Sequence, residues 1–249
     1  MQFIASHTGS LLNYSIHEVM PRVYAVEVTD DYERGMLFLR AQEYYESTFL
    51  EFRGRAFDIF EYMNRYRKHW NKKTFTYPAD WAGYNIPSES LESCLRELDE
   101  VHHTTSYDDH MANIHWYIRK HLPRGKFYLI GIDSMSSSTM EHEFAHALFY
   151  TNPEYRKAMT DLISQMPAKI QEALKDRLMK DGYPEKVLVD EMHAYLSTGL
   201  LDKMSKIRGI KTWAKKFSKI FKLYYAKNKN NNGAHRKAAK AIRQVVLSH

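Results

Sequence analysis

The stretch Glu141-His142-Glu143-Phe144-Ala145-His146 sets two histidines four residues apart, with a glutamate directly after the first. This H-E-x-x-H string constrains the fold more than any other part of the chain, because its chemistry requires a helix. On a helix, residues four apart lie one above the other, so His142 and His146 can offer two imidazole nitrogens to one ion. Glu143 is rotated by about 100° from His142, beside such an ion rather than on it. A carboxylate there can take a proton from a metal-bound water. Chance would place about 0.05 copies of the bare string in a chain of this composition.

The flanking residues fit a metal-bearing helix. Lys126–Asp133 (KFYLIGID) reads as a buried strand, and Ser138-x-x-Glu141 is a capping-box signature just after it. Met140, Phe144, Ala147 and Leu148 form one apolar stripe, while His142, His146 and Tyr150 point the other way, toward an open side.

HEFAHALFY resembles the active-site helix of zincin metallopeptidases. In the gluzincin branch the third zinc ligand is a glutamate on a later helix, and the resemblance implies Glu191, within VLVDEMHAYL (187–196). Leu188, Met192 and Leu196 form that segment's apolar stripe, and Glu191 lies about 60° beyond its edge. The resemblance covers roughly residues 126–200. It implies Zn2+ held by His142, His146 and Glu191, Glu143 as general base, and a peptide or protein substrate. Gluzincins often carry Asn before the ligand Glu and Asp four after it; here those positions hold Asp190 and Tyr195. Tyr195 and Tyr150, each one turn from a ligand, are the candidate oxyanion donors, with His193 about 160° from Glu191 the weaker choice. Two other HExxH groups are faintly similar. Peptide deformylases take a Cys ligand upstream, which would fall on Cys94. SprT-type DNA-associated proteases share the HExxHA start but use a third His soon after, where this chain has none before His193.

Across 249 residues the apolar content suits a buried core. The single cysteine, Cys94, excludes an internal disulfide and fits a reducing compartment. The N-terminal residues carry no signal-peptide pattern, and no apolar run approaches a membrane span, so a cytoplasmic protein is expected. The net charge of +6 is unevenly placed: residues 203–249 hold 14 of the 36 Lys and Arg and none of the 30 acids. The remainder is 22 against 30, a net of −8.

Periodicity predicts a short strand at Gln2–Ala5, a strand at Val23–Val28, and helix over roughly 31–70, either continuous or broken near Gly54. Residues 71–87 read as loop, with Trp81 and Tyr84 anchoring it; 88–99 and 107–121 read as helices. After the strand and metal helix come helices at about 154–164, 166–181 and 185–200, and Ala234–Leu247 reads as a short terminal helix. The layout is α+β and predominantly helical, with a small sheet beside the metal helix. Three parts are expected: an N-terminal part (1–125), a zincin-like core (126–202) and a basic helical extension (203–249). In that extension Trp213, Phe217, Ile220, Phe221 and Tyr224 share a helical face flanked by Lys211, Lys215, Lys216, Lys219 and Lys222. Three readings of it compete: docking on the body with solvated lysines, contact with nucleic acid, and a membrane-surface or calmodulin-like role. Nucleic-acid association with a non-catalytic core is accordingly the alternative to hydrolysis.

Overall fold

The computed structural model describes residues 2–8, 12–101, 103–135 and 138–231, with the backbone alone for 4–8, 138 and 227–231. In chain order the elements are β1 (Gln2–Thr8), β2 (Asn13–Met20), β3 (Val23–Glu27), α1 (Asp31–Glu46), α2 (Ile59–His69), α3 (Tyr77–Asp80), β4 (Tyr84–Pro87), α4 (Ser88–Glu97) and α5 (Ser106–His121). They continue with β5 (Tyr128–Ile132), α6 (Ser138–Thr151), α7 (Pro153–Ser164), α8 (Ala168–Lys180), α9 (Leu188–Thr198), α10 (Asp202–Ser205) and α11 (Ile210–Asn231). The chain is α+β and mostly helical, as expected, around one small mixed sheet. Among the described residues no helix is long and apolar enough to cross a membrane.

The sheet runs β1-β2-β3-β5-β4, with β3 and β5 parallel and the other pairs antiparallel. A parallel pair needs a long crossover; here α1 to α5 supply it. β3 and β5 are buried on both faces, and side chains alternate between them. Tyr24, Val26 and Leu129 join a core with α1, α2, α4 and α5. Val23, Ala25, Tyr128 and Ile130 join a second core with α6 to α9 and α11. The sheet therefore spans the 125/126 boundary expected from sequence. Gly131 lets α1 approach β5: a Cβ there would lie 2.6 Å from the Phe38 ring.

Local chemistry explains the helix ends. Asp30 accepts from Glu33 N–H at 2.9 Å, Asp58 caps α2, Thr105 and Asp108 form a capping box on α5, and Asn152 caps α7. Helix 31–70 is broken, not continuous, with Gly54 at φ 73° in the break. Two strands went unseen in the pattern. In β2 polar Asn13, Ser15 and His17 and a bulge between Glu18 and Met20 obscure the alternation of Tyr14, Ile16 and Val19. β4 and α3 lie inside 71–87, expected as loop; Pro78 and Pro87 within them and Gly83 between them conceal an edge strand, where proline is tolerated.

Helix α11 docks its aromatic face: Phe217 and Phe221 are buried against the α6–α9 core, with Trp213, Ile220 and Tyr224 packed around them. Lys211, Lys215, Lys216, Lys219 and Lys222 are all exposed. The terminal helix expected at Ala234–Leu247 and the Ser138 side chain of the expected capping box lie outside the described residues.

Candidate metal centre

Helix α6 follows β5 and presses Met140, Phe144, Ala147 and Leu148 into the core, as its stripe predicts. The opposite face is not open along its length. Helix α9 crosses it, covering His146 almost completely and leaving His142 partly exposed. α9 is packed on two sides, against α6 and against α11, and its polar Glu191 and His193 are buried with its apolar residues. This crossing brings Glu191 to the histidines: His142, His146 and Glu191 form a group whose donor atoms suit one metal ion.

The hydrogen bonds around the imidazoles set which nitrogens face inward. Thr198 Oγ1 donates to Ala194 O at 2.8 Å, so toward His142 Nδ1, 3.2 Å away, it acts as acceptor. His142 therefore carries its proton on Nδ1 and turns an Nε2 lone pair to the centre. His146 Nδ1 lies 2.9 Å from Asp190 Oδ1, an ion-pair contact that favours a proton on Nδ1 and turns Nε2 to the centre. The two Nε2 atoms are 3.2 Å apart, and Glu191 oxygens lie 3.9 Å from His142 Nε2 and 3.6 Å from His146 Nε2. Ligands about 2.1 Å from one ion can be up to about 4.2 Å apart, so all three separations fit. Once His146 and Glu191 give up their protons, two imidazole lone pairs and a carboxylate converge here, an arrangement that suits a cation.

Glu143 sits beside this group, 5% exposed, with Oε2 lacking any hydrogen-bond partner among the described residues. Gly83, just before β4, makes room for it: a Cβ there would stand 2.6 Å from Glu143 Oε1 and 2.7 Å from Thr139 Cγ2. Asn85, on β4, accepts from Tyr128 Oη at 2.6 Å. These side chains line a cavity of about 410 Å³, walled further by Gln42 and Glu46 of α1, Trp81, Tyr183, Tyr195 and Thr198. The Tyr195 and Tyr183 hydroxyls are 2.9 Å apart.

Burial dominates the protonation of these groups. It pushes Glu143 up to about 7 and Glu191 up to about 8, and burial with the neighbouring His146 holds His142 well below the usual imidazole range. At His146 burial works against the charge, but the Asp190 and Glu191 carboxylates outweigh it and hold the imidazole well above its usual range. Burial likewise opposes ionisation of Asp190, yet His146 and then His193 hold its carboxyl below the carboxylate range. Burial, reinforced by Glu191, raises Glu46 well above its ordinary value.

Of the residues singled out by sequence, His142, His146, Glu191, Glu143 and Tyr195 meet at one cavity. Tyr150 does not line it. Its ring packs on Tyr128 and its hydroxyl donates to Glu89, which also pairs with Lys126. Cys94 is buried in the core on the other face of the sheet. His193 is fully buried, donating from Nε2 to Ala145 O at 3.1 Å with Nδ1 3.2 Å from Asp190 Oδ1. It ties α9 to α6 rather than facing the cavity. Trp81, for which the sequence favours anchoring its loop over lining a pocket, lines the cavity, whereas Tyr84 is buried and stacked on Phe38. Sequence reasoning missed Gln42, Glu46, Gly83, Asn85, Tyr183 and Thr198, which carry no motif, and met Asp190 only as a departure from the gluzincin pattern. The position four after Glu191 holds Tyr195 rather than a carboxylate, and Asp190, directly before Glu191, meets His146 instead. Compared with family models, curated proteins and solved structures, the chain matches none.

Proposed function

We propose that the chain is a zinc-dependent hydrolase of gluzincin type, acting on a peptide or amide bond in a reducing, cytoplasmic setting. The observation that carries this reading is the convergence of His142 Nε2, His146 Nε2 and the Glu191 carboxylate beside the unpartnered Glu143 oxygen. His142, His146 and Glu191 would hold the metal, with Thr198 and Asp190 orienting the two imidazoles. When bound, zinc supplies Lewis acidity and lowers the pKa of a water to roughly 7. Glu143, raised to about 7, is matched to accept a proton near neutrality and return it to a leaving amine. Tyr195, held by Tyr183, offers a hydroxyl toward developing negative charge in the cavity.

The test is metal analysis of purified protein with His142→Ala, His146→Ala, Glu191→Ala and Glu143→Gln. The expected result is about one zinc per chain, lost in the three ligand variants and kept in Glu143→Gln, which loses hydrolysis. Zinc retained by Glu191→Ala would remove the gluzincin assignment. A second reading, nucleic-acid association through α11, is favoured by the exposure of all five of its lysines on a docked helix. A salt-dependent gel shift, lost on replacing those lysines with glutamine, would support it.

A further inference from the structure

The cavity wall contributed by α1 has no part in the proposed metal chemistry, yet it is built with care. Gln42 Oε1 accepts the backbone N–H of Asn85 at 3.1 Å, which fixes the amide and turns Nε2 toward Glu46 Oε1, 2.5 Å away. Glu46 is thereby aimed into the cavity from an element remote in sequence. Three carboxylates, Glu46, Glu143 and Glu191, line the space, and among the described residues lining it none is Lys or Arg. Burial favours the protonated carboxyls in the empty cavity, but cations entering it favour ionisation of all three; a divalent ion then offsets two of those charges, leaving the third for a second cation. Glu143, on a side chain 5% exposed, lines the same space. The Trp81 indole shares the wall with Glu46, adding a surface that favours cations.

We propose that the cavity selects substrates carrying a protonated nitrogen, an amine or guanidinium, close to the bond attacked, with Glu46 as its counter-ion. This inference rests on the metal-hydrolase reading. A free α-amino group and a lysine or arginine side chain share the required chemistry. The side chamber continuing behind Glu46, about 30 Å³, is water-sized, so the charged group binds in the main cavity.

The test uses the zinc-loaded full chain and four hydroxamates, titrated calorimetrically at pH 6.5: leucine hydroxamate, its 2-hydroxy analogue, N-acetyl-leucine hydroxamate and N-acetyl-lysine hydroxamate. At least one of the two cationic probes should bind about tenfold or more tighter than the neutral ones. A leucine hydroxamate advantage assigns the site to α-amines, and an N-acetyl-lysine hydroxamate advantage assigns it to basic side chains. In Glu46→Gln, which keeps an acceptor for Gln42, that advantage should fall below about threefold with zinc content retained. Equal binding of charged and neutral probes by the wild type overturns the inference without recourse to a variant. So does an advantage that survives in Glu46→Gln. Zinc held with no probe bound overturns it while leaving the metal centre; no zinc held removes the metal reading and this inference with it.

Discussion

Replacing Glu143 by glutamine in the metal-free protein should stabilise it, by an amount that depends on pH. Burial raises this carboxyl from its ordinary 4.5 to about 7. Between those values the unfolded chain has released the proton while the folded chain keeps it. Stability is therefore highest below pH 4.5, falls as pH rises through that window, and levels off above about 7. Each unit corresponds to about 1.4 kcal/mol, so the full effect is about 3 kcal/mol. At 5% exposure solvent does little to screen it. The amide in Glu143→Gln does not titrate, so the variant lacks this loss, while Glu191 and His146 titrate in both proteins. Urea unfolding with a chelator present, at half-unit steps from pH 4.5 to 8, measures the difference directly. The variant should gain on the wild type by about 3 kcal/mol across the range. A difference constant to within about 0.5 kcal/mol would show that Glu143 titrates normally, and the buried-base argument would be refuted.

Zinc uptake should weaken as pH falls, because His146 and Glu191, both raised, must release protons to bind; proton release in weak buffer, up to about two per zinc, is the check. Asp190→Asn and Thr198→Val, which disturb the bonds orienting His146 and His142, should each lower zinc affinity about 10–100-fold in chelator competition. Gly83→Ala should push Glu143 aside, cutting turnover more than tenfold for a stability loss of about 1–3 kcal/mol, since a carboxylate end can shift. Phe217→Ala should cost about 3–5 kcal/mol in urea unfolding, whereas Lys219→Ala should change stability by less than about 0.5 kcal/mol, because α11 is docked by its aromatic face.

The metal helix was readable because its information is local. Histidines four apart, the stripe Met140–Phe144–Leu148 and the preceding strand all lie within about two dozen residues. Glu191 could be named because its helix carries its own apolar period. The Glu46 wall could not, since Gln42 and Glu46 sit in an aromatic-rich helix whose period reports burial and nothing of what its C-terminal end faces. Asp190 was visible as a residue but not as a partner of His146, because adjacency to a ligand in sequence says nothing of which imidazole lies across the helix crossing. β2 and β4 escaped for a related reason: their pairing, not their composition, makes them strands.

The amino-acid order alone thus determined a helix carrying H-E-x-x-H, a later glutamate with the right apolar framing, and a basic segment with one aromatic face. These are properties of spacing along a helix, which the backbone repeats every 3.6 residues wherever it folds. Tertiary structure decided the rest: the crossing of α9 over α6, the tautomers that turn both Nε2 atoms inward, the glycine that admits Glu143, and the α1 carboxylate across the cavity. Those depend on packing between segments as much as 145 residues apart, from Glu46 to Glu191, and packing is set by how surfaces fit in three dimensions, which no periodicity records.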